Sequence, residues 1–186
     1  MDILVLKEKL LNKKNIILIV ILLIMIIVAI SLFFILNKTK KEKLKPISFS
    51  SSDGSVSITA PSEYEFSVID DASYLLLLKS QITGSSIYVS ETSTTNIRDI
   101  SKFIEYDKND YISKFPNISQ VSDVNELTIQ GLQAYNYNFY YKKNMYVDVY
   151  WILKDSKFII VDFNINKDKI DLSSHVAEIL NSLKLN

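Results

Sequence analysis

The sequence predicts an α+β domain with an antiparallel central sheet, carried behind an N-terminal transmembrane helix. Three observations lead there. An uncharged apolar run occupies residues 16–36, a meander of alternating strands fills the second half of the chain, and two helical stripes stand apart from those strands. Strands in runs, with helices segregated from them, favour an α+β arrangement over alternating βα units.

The run "IILIVILLIMIIVAISLFFIL", Ile16 to Leu36, holds 21 residues. At ~1.5 Å of rise per residue it is long enough to cross a hydrocarbon core of ~30 Å. A cleaved signal peptide is the rival reading. Its apolar region should be about 7 to 15 residues long and end at a small-residue site. Here the nearest such site, Ala29-Ile30-Ser31, is followed by the apolar "LFFIL".

Lysines flank both ends, Lys7, Lys9, Lys13 and Lys14 before the run and Lys38, Lys40, Lys41, Lys43 and Lys45 after it. Counting them favours a cytoplasmic C-terminus, but long domains translocate largely regardless of charge and a short basic tail stays inside. The expectation is a single-pass protein of the cell membrane with its C-terminal domain outside the cytoplasm. Residues 1–15 then form a basic tail, 16–36 the span, 37–54 a Lys- and Ser-rich linker, and 55–186 the folded domain. The linker lysines are expected to form a solvated stalk, with attraction to anionic lipid as the alternative.

Composition excludes several classes of chemistry. There is no cysteine, so disulfide frameworks and thiolate chemistry are ruled out. Lysine plus arginine equal aspartate plus glutamate at 21 each, and this balance gives no basic face for nucleic acid. His175 is the only histidine, which precludes clustered His/Cys metal sites. It sits beside Ser174 at the edge of a helical stripe and reads as a boundary histidine, since no nucleophile-elbow sequence accompanies it. Gly54, Gly84 and Gly131 are isolated in turns and build no phosphate loop. "NKKNIILIV" lacks the glycine and glutamate of a pilin processing motif.

In the domain, "SVSITA" (55–60) alternates as a strand and Pro61 ends it. "YLLLLK" (74–79) and "SIYVSE" (86–91) read as a hairpin. Ile97, Ile100, Ile104, Tyr111 and Phe115 mark a helix, with Asn96 as its cap and Pro116 as its stop. Glu105, Asp107 and Asp110 are expected on its solvated face with Lys102, Lys108 and Lys114. "VNELTI" (124–129) and "LQAYNYNFYY" (132–141) follow as strands around the turn Gln130-Gly131. "MYVDVYWILK" (145–154) and "FIIVDFNI" (158–165) complete the meander. The chain closes on a helix with Leu172, Val176, Ile179, Leu180 and Leu183 on one stripe and Asp171 as its cap.

Asp148 stands in the middle of an otherwise apolar strand, and loop length decides which way it points. Two-residue loops at the last two hairpins would put it on one face with Phe139, Val161 and Phe163, a costly site for a carboxylate. Three-residue loops, Lys142-Lys143-Asn144 and Asp155-Ser156-Lys157, reverse that parity. Asn144 then suits the left-handed position and Lys157 suits it poorly.

The three-residue register gathers the charged and amide groups on one face, and it is the expected one. It sets Asn138 beside Asp148 and Asn164, and Asn136 beside Tyr150 and Asp162, within the ~4.8 Å strand spacing. Asn136, Asn138, Asp148, Tyr150, Asp162 and Asn164 are therefore the candidate ligand-binding residues. They form a surface facing away from the helix-covered core, with Tyr140 and Tyr146 as stacking platforms. Such a patch suits an envelope protein, a glycan or a hard cation held through oxygens. The bland alternative is the wetter face of a sheet. No catalytic residue, cofactor or dedicated metal site is expected. The competing reading is an envelope glycan hydrolase using a carboxylate pair.

From Val124 onward the chain resembles the C-terminal half of PsbP-like domains. The shared features are a turn glycine before a tyrosine-bearing strand, two long hairpin strands, and a last helix ending near "NSLK". "ITAPSEYEF" is similar to the proline-plus-aromatic opening of that family, with Tyr64 where tryptophan is frequent. The resemblance implies an α-β-α sandwich, extracytoplasmic and non-enzymatic, acting as an accessory or binding protein, and it carries no catalytic residues across. The abundance of Ile, Lys and Asn resembles that of low-GC bacteria, so a bacterial, membrane-anchored member is implied.

Overall fold

The computed structural model describes residues 13–39, 45–67, 73–170 and 172–186. Residues 1–12 of the basic tail expected over 1–15, the lysines within 40–44 and the Asp171 cap lie outside those residues, and residues 13–15 of that tail belong to the first helix. Two units make up the chain, a helical one and a domain that begins at Leu44.

Helix α1, Lys13–Thr39, runs for 27 residues and contains all of 16–36. Its side chains are described over 16–31, and every one of them is exposed. Among the described residues no helix is long and apolar enough to cross a membrane.

The domain is α+β and its strands pair antiparallel throughout. In chain order come β1 (Pro46–Ser50), β2 (Val56–Pro61), β3 (Tyr64–Phe66), β4 (Tyr74–Ser80) and β5 (Ser86–Ser93). Helix α2 (Ile100–Ser113) follows, then β6 (Ile118–Ser119), β7 (Asn125–Ile129), β8 (Leu132–Tyr141), β9 (Met145–Lys154) and β10 (Lys157–Asn166). Helix α3 (Leu172–Ser182) and the short β11 (Lys184–Leu185) close the chain. The large sheet has the order β3-β4-β5-β10-β9-β8-β6, with β7 also on β8, and a smaller sheet has the order β1-β2-β11.

Each face of the large sheet has its own core. On one side α2 covers Tyr135, Tyr137, Phe139, Val147, Val149 and Trp151 with Ile104 and Phe103. On the other, α3 and the small sheet cover Ile87, Val89, Ile159, Val161 and Phe163 with Val176, Ile179 and Ile58. The α-β-α layering implied by the family resemblance is thus present, with the small sheet sharing the α3 layer.

Several local expectations need correction. Pro46–Ser50 lies inside the segment expected as a linker, yet it pairs with β2 from Pro46 opposite Pro61 to Ser50 opposite Ser57. The serine-rich stretch after it is a tight turn. The Asp53 carboxylate accepts from Ser51 Oγ (2.6 Å), Ser55 Oγ (2.8 Å) and Ser55 N (3.0 Å), and these bonds pull its pKa down to about 2. Asp99, not Asn96, caps α2, accepting from Lys102 N at 3.1 Å. Lys108, expected on a solvated face, is 4% exposed, with Nζ 2.6 Å from Glu105 and 3.4 Å from the Ser122 carbonyl.

The decisive correction concerns the last two hairpins. Between β8 and β9 the loop has three residues, as expected: Tyr141 pairs Met145 and Asn138 pairs Asp148. Its left-handed residue is Lys142 (φ 52°), however, where Asn144 was expected. Between β9 and β10 the loop has two residues, Asp155 and Ser156, so Lys154 pairs Lys157 and Asp148 pairs Phe163. Asp155 takes the positive φ (55°), which aspartate tolerates better than most residues. Lys157 thereby escapes the left-handed position that suits it poorly.

Lys142 is exposed and strained in the same sense, since a side chain with Cβ costs about 1–2 kcal/mol at such a φ. Lys142→Gly should therefore raise stability by about 0.5–1 kcal/mol and Lys142→Val should lower it. Urea unfolding of the full chain in nonionic detergent measures both, and equal signs for the two substitutions would contradict the turn geometry.

Candidate functional site

The mixed loop lengths divide the six candidate residues between the two faces. Asn136, Asn138, Asp148 and Tyr150 share the α3 face, in rungs that continue to Phe163 and Val161 where Asn164 and Asp162 were expected. Asp162 and Asn164 lie on the α2 face, opposite Val149 and Val147. The expected single polar surface does not form. Asp148 faces the α3 side, among Phe163 and its neighbours, and is 5% exposed. Phe139, the other aromatic weighed against it, is on the opposite face.

Asp148 is made tolerable by donors. Asn136 Nδ2 donates to Oδ1 at 2.6 Å and Tyr150 Oη to Oδ2 at 3.0 Å. Burial raises its pKa, and the bonds from Asn136, Tyr150 and Tyr146 oppose that rise. All three partners donate, as suits an ionised carboxylate. Burial, with the nearby negative charge of Asp148, pushes the phenols of Tyr146 and Tyr150 well above their usual range, so both remain neutral donors.

Asp148 also lies in the wall of a cleft of about 470 Å³ between β8–β9 and α3. Tyr140, Tyr146 and Tyr150 flank it, while Val176, Ala177 and Leu180 of α3 form the apolar side. Tyr140 and Tyr146 are directly opposed across the strands, with ring centroids 4.9 Å apart. Lys167 Nζ stands 4.7 Å over the Tyr140 ring.

One end of the cleft is fixed by the β7–β8 turn. Gln130 and Gly131 both have positive φ (52° and 83°), as a primed two-residue turn requires. The Gln130 amide reaches the carbonyls of Leu180 (3.0 Å), Leu183 (2.8 Å) and Asn181 (3.3 Å), satisfying acceptors that the end of α3 leaves without helical partners.

On the other face Asp162 forms a separate polar centre. Tyr111 of α2 donates to Oδ2 at 2.5 Å and Asn164 Nδ2 to Oδ1 at 2.8 Å. Part of the residue remains accessible, but its carboxylate is enclosed, and desolvation dominates. That burial pushes its pKa up to about 7, with the Tyr111 bond opposing and the charge of Asp148 adding to the rise. The two acids thus repel across the sheet without facing a common space. The Trp151 indole N–H, buried on this same face, has no hydrogen-bond partner among the described residues.

His175 is a core residue, its Nε2 2.9 Å from Tyr64 Oη, and burial lowers its pKa. Among the described residues no group of His, Asp or Glu is placed to hold a metal ion. Sequence reading missed two contributors. Tyr111 was read only as part of an apolar helical stripe and Gln130 only as a turn residue, while Val176 and Leu180, read as core, are core and also line the cleft.

The fold is shared with known structures. Cyanobacterial PsbP (CyanoP) from Synechocystis sp. PCC 6803 superposes with a TM-score of 0.58 over 79% of this chain and 96% of that one, at 12% identity. The domain has the PsbP-like fold. The Saccharomyces cerevisiae Ran-binding protein Mog1p matches with a TM-score of 0.53 at 10% identity, over 76% of this chain and 96% of that one. No family model and no curated protein sequence matches the chain. At these identities the PsbP-like likeness concerns the fold alone.

The raised pKa of Asp162 gives a signed pH dependence. With about 3.9 in the unfolded chain and about 7 in the fold, its favourable contribution is complete below pH ~4 and is lost as pH rises through ~7. Asp162→Asn, which removes the charge and keeps the shape, should raise the urea midpoint at pH 8 by the equivalent of roughly 1–3 kcal/mol, and by much less at pH 5. Equal effects at both pH values would contradict the buried-carboxylate assignment.

Proposed function

We propose that this chain is a membrane-tethered, non-enzymatic binding or accessory domain at the cell envelope, that residues 16–36 hold it in the bilayer, and that its ligand enters the cleft beside Asp148. The observation that carries this reading is the cleft itself. A volume of about 470 Å³ is within the range of small-molecule sites, which are mostly apolar with a few placed polar groups. The PsbP-like fold, which CyanoP and the Ran-binding protein Mog1p share, supports an accessory role.

The tether is supported by the 21-residue uncharged run and by α1, which contains it. The outward placement of the domain rests on the short basic tail ahead of the run. The hydrolase reading draws no support from the geometry, since a glycosidase pair flanks one scissile bond and Asp148 and Asp162 lie on opposite faces. Asn136, Asn138, Asp148 and Tyr150 remain together; of these Asp148 and Tyr150 line the cleft, and the proposed ligand contacts are theirs, with Asn136 holding Asp148 Oδ1.

Two fractionation measurements test this. The full chain should stay in the membrane pellet through alkaline carbonate extraction, and a chain lacking 16–36 should move to the supernatant. On intact cells, added protease should remove a C-terminal tag. Carbonate release of the full chain would contradict the tether, and digestion of the tag only after lysis would contradict the outward domain.

A further inference from the structure

The cleft has an unusual charge balance. Asp148 is the single formally charged residue among those that line it. None of the described ion pairs includes it. Its donors are amide and phenol groups, which stabilise an anion without neutralising it. A cavity walled by phenol rings with one buried negative charge is complementary to an organic cation.

Two details narrow the cation. Asp148 already accepts bonds at both oxygens, from Asn136 and Tyr150, and Tyr146 also bonds to it. A carboxylate offers about four lone-pair sites, so little directional capacity is left for the three donors of a primary ammonium. A methylated ammonium needs none, only a nearby negative charge and ring faces. The rings also present faces that accept a cation, since Lys167 Nζ stands 4.7 Å over Tyr140. Leu127, Val176 and Leu180 give the remaining wall an apolar stretch that suits methyl groups, with Thr128, Gln130 and Asn181 as its polar members.

We propose that the cleft binds the trimethylated ammonium head of a small organic cation, with Asp148 as the counter-charge and the rings of Tyr140, Tyr146 and Tyr150 as the surrounding walls. This rests on the reading of the cleft as the domain's binding site. The aliphatic remainder of the ligand lies along α3 near Ala177, which is exposed.

The test is calorimetric titration of the full chain in nonionic detergent with choline and with its neutral isostere, 3,3-dimethylbutanol. Choline should bind saturably and at least tenfold more tightly than the isostere. Asp148→Asn should abolish that preference, and Tyr140→Leu, farther from the core, should weaken choline at least threefold with the circular dichroism spectrum retained. The Tyr140 variant keeps the test decisive if the Asp148 variant fails to fold. Equal affinity for the two probes, no binding of choline, or choline binding that Tyr140→Leu leaves unchanged would overturn the proposal. Ala177→Trp, which fills the cleft from its exposed side, separates the two readings. If it blocks a neutral probe that binds as well as choline, the cleft stands as a site and the cation assignment falls. If it leaves binding of every probe intact, the cleft is not the site and both readings fall.

Discussion

Side chains on a strand alternate between faces, so the number of residues in a hairpin turn decides where every later side chain points. In this domain that constraint acts at Asp155-Ser156. Two turn residues pair Asp148 with Phe163 and send Asp162 to the opposite side. A third would have gathered both acids on one face and placed the run Ile159, Val161, Phe163 and Ile165 on the other. The pairing in the structure gives each face a complete apolar run and leaves each with one buried carboxylate.

An unpaired buried carboxylate is costly unless hydrogen bonds replace its water. Both acids meet that condition with neutral donors, one amide and at least one phenol each. The two coverings differ. On the α2 side, Tyr111 descends from the helix onto Asp162 and packs edge-on against Phe115 and Phe139, so helix and acid are joined directly. On the α3 side the donors come from the sheet itself, and α3 stands off far enough to leave the cleft. Gln130 holds the end of α3 from the β7–β8 turn and so helps to keep that gap. The fold therefore makes one acid a structural group and leaves the other beside open space.

Much of this was legible in residue order. Alternation located β2 and β7 to β10, because half-buried strands enforce period two, and the apolar runs at 74–79 and 86–91 located β4 and β5. The apolar stripes located α2 and α3. Short pieces escaped: β3, β6 and β11 have three residues or fewer, too few for a period to show, and β1 lay in the segment read as a linker; partner strands supply their bonds. At the site, the cluster of Asn136, Asn138, Asp148 and Tyr150 was found because the Lys142-Lys143-Asn144 loop has the expected length. Asp162 and Asn164 were misplaced because polarity was assumed to segregate by face. The signal against that assumption was local. Asp155 suits a left-handed position and Lys157 does not, and turn chemistry outweighed the tidiness of the faces.

The account turns on the pairing of β9 with β10, and cross-strand nuclear Overhauser effects on the full chain in micelles report it directly. Backbone contacts should connect Asp148 with Phe163 and Tyr150 with Val161. Contacts connecting Asp148 with Asn164 and Tyr150 with Asp162 would put both acids on one face and contradict the divided sheet, and with it the cleft as described.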